Sequence, residues 1–90
     1  MSEVVRTEDS FYMVLPGSEK AMIKYQLKGR EMFIISTYTP QEHRGKGIAE
    51  KLMDEVVKFA KSEKLKIIPV CSYARHYFEK HHELKTLLAQ

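Results

Sequence analysis

Short apolar runs and alternating stretches of strand character reach as far as Tyr38, a helical period follows from Ile48, and that change divides the sequence. Phe11-Tyr12-Met13-Val14-Leu15 is a run of strand-favouring residues that stops at Pro16-Gly17-Ser18, which has turn chemistry. Ala21, Ile23, Tyr25 and Leu27 alternate with Lys24, Gln26 and Lys28, a period of two that turns one face of a second strand toward a core. After the break at Lys28-Gly29-Arg30-Glu31, Met32 to Tyr38 carries β-branched and aromatic residues at both phases, which suits a strand in the middle of a sheet. Three consecutive antiparallel strands are the simplest arrangement, preceded by a polar start with no element of its own.

From Ile48 the period becomes helical. Ile48, Ala49, Leu52, Met53, Val56, Phe59 and Ala60 fall on one face, opposite Glu50, Lys51, Asp54, Glu55, Lys58 and Lys61. The pattern predicts an amphipathic helix of about four turns, its apolar stripe buried and its charged face solvated. Lys66 to Val70 reads as a further strand in which Pro69 lacks a ladder donor, so pairing is expected to end near that residue. Strand, crossover helix and strand imply a parallel pair. The segments from Ser72 to His81 and from Glu83 to Ala89 read as helical. The fold class is therefore α+β, or mixed α/β, with antiparallel strands followed by a strand-loop-helix-strand unit and C-terminal helices.

Composition narrows the setting. Ninety residues fit one domain, and 43% hydrophobic with 30% charged residues is ordinary for a chain that folds. No apolar run is long enough to span a bilayer, and the single Cys71 excludes an internal disulfide scaffold, so a cytoplasmic, membrane-free setting is expected. The formal charge of +3 suits an anionic ligand, but the lysines are spread along the chain and form no stripe of the kind that grips nucleic acid. A basic nucleic-acid domain is thus the weakest of three functional readings. His76, His81 and His82 have no zinc-finger spacing with Cys71, and no metal site is expected.

The chemistry concentrates between Tyr38 and Ile48. Pro40 to Ala49 carries two of the four glycines and joins the Met32 to Tyr38 strand to the long helix. Glycines let backbone approach a phosphate, the first helical amides have no internal partners, and Arg44 and Lys46 add full positive charge. A plain strand-to-helix turn is the alternative. The loop matches neither the P-loop nor the dinucleotide fingerprint.

Arg44-Gly45-Lys46-Gly47-Ile48-Ala49, followed by Leu52, resembles the coenzyme A signature of the GNAT superfamily of N-acetyltransferases: Gln or Arg, two residues, Gly, one residue, Gly or Ala. Thr37-Tyr38-Thr39-Pro40 and Ala74 to Lys80 are similar to the family's preceding strand end and last helix. The resemblance spans roughly residues 23–81 and points to a short, little-characterised branch. It implies a GNAT-like fold over 1–90 with acetyl-coenzyme A as cosubstrate. Amides from Gly45 to Ala49 would hold the pyrophosphate, with Arg44 and Lys46 beside it. The pantetheine arm would lie between splayed strands near Thr37, Tyr38 and Thr39, where a backbone amide would stabilise an oxyanion.

Two departures from the family pattern bear on catalysis. The chain has only a turn at Pro16 to Lys20, where the family carries a pair of helices, so the acceptor side is expected to be open. It would be completed by a second subunit in a homodimer or would admit a small-molecule or protein amine. The tyrosine of the last helix is displaced to Tyr77, which weakens its case as acid for the departing thiolate. Cys71, at the end of the Lys66 to Val70 strand, is a candidate to receive the acyl group itself, and His43 beside Glu42 is a candidate base. A small buried cysteine and a solvated loop histidine are the ordinary alternatives. The leading reading is an N-acetyltransferase acting on an unidentified amine. The second is a coenzyme A or acyl-coenzyme A binding module without turnover.

Overall fold

Short-range hydrogen bonding and the alternation of apolar side chains build a five-stranded sheet whose spatial order follows the chain. The computed structural model describes residues 3–89. Its strands are β1 Val4–Arg6, β2 Ser10–Val14, β3 Lys20–Lys28, β4 Glu31–Tyr38 and β5 Lys66–Pro69, arranged β1-β2-β3-β4-β5. The first four are antiparallel neighbours, and β4 pairs with β5 in parallel across the helix α1, Ile48–Ser62. A second helix, α2, spans Ser72–Lys80, followed by a 3₁₀ segment at His82–Leu87.

Directly paired strand residues share a face, and the register puts Phe11 opposite Ile23, Met13 opposite Ala21, Tyr25 opposite Ile34 and Met32 opposite Ile67. All eight are buried, and they join Leu52, Met53, Val56, Ala74, Tyr77 and Phe78 of the helices in one cluster. Both helices therefore cover the same face of the sheet. The alternation expected for β3 holds through Tyr25 and then lapses, since Leu27 is exposed where the strand outruns the helices.

Four features depart from the sequence reading. Val4-Val5-Arg6, taken there as part of a polar start, adds an edge strand against Phe11, Tyr12 and Met13, so the antiparallel run has four strands rather than three. Val57 joins the buried stripe of α1. In place of a helix from Glu83 to Ala89 there is a 3₁₀ segment at His82–Leu87, and beyond it Leu88 bridges to Ile67 while the Ala89 amide donates to the Ile67 carbonyl at 2.9 Å. That tail covers the outer edge of β5, which would otherwise offer unpaired backbone to other chains.

The fourth concerns Pro69. Pairing does end there, opposite Ile34, but the missing amide is not the reason. Lys66 and Val70 donate to the carbonyls of Arg30 and Ile34. Residues 66, 68 and 70 thus face β4 with their amides, and Pro69, at the other phase, faces the outer edge. The ladder stops because the chain turns into α2, with the Cys71 amide also donating to the Ile34 carbonyl at 3.2 Å. On the other strand a bulge begins at the same point: Lys24 pairs with Ser36 and Tyr25 with Ile34, which leaves Ile35 as the extra residue.

The fully buried Ile23 sits where β2, β3 and the helices meet. Ile23→Ala is expected to lower unfolding free energy by about 2–5 kcal/mol, as read from the urea midpoint.

Candidate active site

Beyond Ile34, β4 runs on to Tyr38 while β5 has ended, so the backbone from Ser36 to Tyr38 keeps its partners on β3 and has none on the β5 side. This is a slot with one hydrogen-bonding wall. At its far end β4 passes through Thr39-Pro40 and a 3₁₀ turn at Gln41–His43 into the glycine loop. The Arg44 Nε donates to the Thr39 carbonyl at 2.8 Å, closing this connection on itself.

Gly45 and Gly47 adopt φ of +80° and +76°, the left-handed region that side chains with a Cβ disfavour. Gly47 is the N-cap of α1 and, having no side chain, gives the helix no capping bond; its carbonyl takes the first helical bond, from Lys51. The amides of Ile48, Ala49 and Glu50 thus start the helix without intrahelical partners. A Cβ built on Gly45 or Gly47 would meet nothing within 4 Å, so the backbone here borders open space that a ligand can enter. Helix dipole, unpartnered amides and the Arg44 guanidinium together suit an anion.

A cavity of about 390 Å³ connects these parts. Its wall includes Thr37, Tyr38, Thr39, His43, Arg44, Gly45, Gly47, Ile48 and Ala49. Nine of the residues singled out in the sequence therefore converge on one hollow. Lys46 is exposed on the same loop but is not on the wall. Bare amides lie at one end of it and an unpaired strand edge along the side.

The three candidate catalysts are placed differently. His43 lies on the wall with its side chain largely buried, and its Nε2 is 3.3 Å from a Glu19 carboxylate oxygen. Cys71 is off the wall, at the point where the ladder ends. It caps α2, its Sγ accepting from the Ala74 amide at 3.4 Å, which fixes the sulfur's direction. Tyr77 is buried in the core, and its hydroxyl donates to the Asp54 carboxylate of α1 at 2.8 Å. Burial, then the bond to Asp54, pushes its pKa well above the ordinary phenol value. With its proton committed to Asp54, Tyr77 presents none to the cavity.

Two wall residues had been given no role. Glu50, read from sequence as part of a solvated face, reaches the cavity, and its carboxylate is 3.1 Å from His81 Nε2 and 3.7 Å from Lys80 Nζ. Tyr73 reaches it from the first turn of α2, its pKa raised by burial and then by the carboxylates of Glu50 and Asp54. Their helical phase carries no such signal, because the contact depends on how α2 packs across α1. Among the described residues no three His, Cys, Asp or Glu side chains are grouped to hold a metal, and no helix is long and apolar enough to cross a membrane.

Fold and cavity define a small α+β domain with a glycine-bearing strand-to-helix loop beside a parallel pair whose ladder ends early. The family model described as GCN5-related N-acetyl-transferase matches residues 10–87. The solution structure of a GCN5-like protein from Staphylococcus aureus, described as a candidate N-acetyltransferase, aligns with a TM-score of 0.79 at 31% identity, covering 97% of this chain and 87% of that one. The chain belongs to the GCN5-related N-acetyltransferase family.

Tyr77 gives a test of its burial. A phenol whose folded pKa lies above its unfolded value of about 10 keeps its full stabilising effect below that pH and loses it as pH rises toward the folded value. Stability measured by urea unfolding is expected to begin falling near pH ~10, and to fall less steeply in Tyr77→Phe.

Proposed function

We propose that the protein transfers an acetyl group from acetyl-coenzyme A to an amine, in a cytoplasmic setting. One observation carries the reading: the unpaired edge of β4 from Ser36 to Tyr38 and the bare N-terminus of α1 open into the same cavity. In this reading the amides from Gly45 to Ala49, with Arg44 and Lys46, hold the pyrophosphate, and Thr37, Tyr38 and Thr39 align the pantetheine arm along the strand. The thioester, once bound, supplies the activated acyl group; a backbone amide near Tyr38 or Thr39 stabilises charge on its carbonyl oxygen.

Cys71, off the cavity wall but at the start of α2 where the β4 and β5 ladder ends, is the candidate nucleophile of a covalent route. Its sulfur forms a bond to the acyl carbon as the bond to the departing thiol breaks, and its proton passes to that thiol. The amine then takes the acyl group, returning a proton to Cys71. His43, held by Glu19, is the candidate base for the incoming ammonium. Direct attack by the amine, without the cysteine, uses the same His43.

The commitment of the Tyr77 hydroxyl to Asp54 favours a second reading, in which the domain binds acyl-coenzyme A without turnover. The two share the loop and differ on whether any amine consumes acetyl-coenzyme A.

Calorimetric titration with coenzyme A is expected to show binding that weakens about tenfold or more in Arg44→Glu and in Gly47→Val, the size of a lost charge-assisted contact. Urea unfolding of each variant separates this from loss of fold, and normal binding by both would remove the loop from the site. Incubation with acetyl-coenzyme A is expected to leave an acetyl-sized mass increment on Cys71, absent from Cys71→Ala. If Cys71→Ala still acetylates amines at the wild-type rate, direct transfer replaces the covalent route.

A further inference from the structure

Because both helices lie on one face of the sheet, the other face is covered by nothing in the chain's described residues. On β3 the residues that alternate with buried Ala21, Ile23 and Tyr25 all point to this open side, and three of them are lysines: Lys20, Lys24 and Lys28. The register extends the face sideways. Tyr12 pairs with Met22, and Met22 pairs with Tyr38, giving a row of apolar side chains across β2, β3 and β4. Tyr38 is 52% exposed, and Ile35 at the bulge is 40% exposed. The same Tyr38 lines the cavity, so the open face runs without a break into the candidate site.

We propose that this helix-free face docks an extended acidic polypeptide that carries the acceptor amine, using Lys20, Lys24 and Lys28 to grip carboxylates and Tyr38 to lead the amine toward the slot. The proposal rests on the acyl-transfer reading and names its acceptor class.

Charge argues for the occupant. The strand neighbours of Lys24 are Ser10 and Ser36, and that of Lys20 is Val14; Lys28 has an acid opposite, Glu31, and Glu8 and Asp9 share a surface hollow with Lys24. Among the described residues none of the three is within ion-pair distance of a carboxylate. Two of them are nonetheless held in place, since the Lys20 ammonium lies 4.7 Å from the Tyr12 ring centroid and that of Lys28 lies 5.6 Å from the Phe33 ring. Spacing agrees: every fourth residue of a strand recurs at about 13 Å, and an extended peptide presents same-side carboxylates at the same interval.

Other occupants fit less well. A second copy of the chain meeting this face across a two-fold axis would bring one lysine stripe against another, a like-charge juxtaposition that opposes association. Single-stranded nucleic acid needs several open ring faces for successive bases to stack on, and with the Tyr12 and Phe33 rings carrying lysine ammonium groups Tyr38 alone, among the described residues of this face, offers one.

The test uses the full chain and a fluorescein-labelled peptide with glutamates at four-residue intervals and one central lysine. Binding by fluorescence anisotropy is expected to weaken with added salt and to weaken at least about tenfold in the combined Lys20→Glu, Lys24→Glu, Lys28→Glu variant. A combined Lys→Gln variant at the same positions, which introduces no new charge, is expected to lie between the two. Coenzyme A affinity is measured on every variant. Retained coenzyme A binding with lost peptide binding supports the face; loss of both in folded protein overturns it, because the lysines would then act through the cofactor site. Equal peptide binding by wild type and variants, no peptide binding by wild type, tighter binding of a thymidine oligonucleotide, or a dimer in sedimentation that the variants dissolve would each overturn the proposal.

Discussion

The Ile34 carbonyl is the last acceptor that β4 offers to β5, and it takes two amides, those of Val70 and Cys71. Two donors converging on one oxygen mean that the incoming chain has stopped advancing along its neighbour and begun to turn. Everything that serves the cavity follows from that turn. β4 continues alone to Tyr38 with one edge unsatisfied, α2 starts beside the gap with Cys71 at its cap, and Tyr73 is brought round to the wall. The bulge at Ile35 begins at the same place and re-aims the strand just where it loses its partner. This partly exposed backbone edge has groups free to pair, and a ligand with amide groups of its own is suited to do so.

The parts of this arrangement that depend on local periodicity were legible in the sequence. The alternation of Ala21, Ile23 and Tyr25 gave a strand and the stripe from Leu52 to Ala60 gave a helix, because one buried face is enough to fix either period. The glycine loop was legible for a different reason: positive φ at Gly45 and Gly47 restricts which residues can stand there. Val4 to Arg6 escaped because three residues are too few to establish a period, and their place depends on a hairpin partner. The end of the β4 and β5 ladder was located correctly through Pro69, yet for a reason that the backbone phase overturns.

What sequence could not supply was the crossing of α2 over α1. That crossing takes Tyr77 out of consideration as a cavity acid by joining it to Asp54, and it draws Glu50 and His81 together from positions far apart in the chain. Asp54 and Glu50 looked like ordinary members of a polar face when read along their own helix. The contact between two helices is a property of neither one alone, since it is set by how their side-chain ridges interlock.

The order β1-β2-β3-β4-β5, in which every strand lies beside its sequence neighbour, bears on how the molecule assembles. The first four strands can pair through short turns, at little loop-closure cost. The β4 and β5 pair is different, since its ends are brought together only across α1, and closing a longer loop costs more entropy before any contact rewards it. The gap that defines the cavity thus belongs to the one strand pairing of the sheet that local hairpin formation cannot reach. For this chain the gap beside β4 takes its place only when a long-range contact has formed.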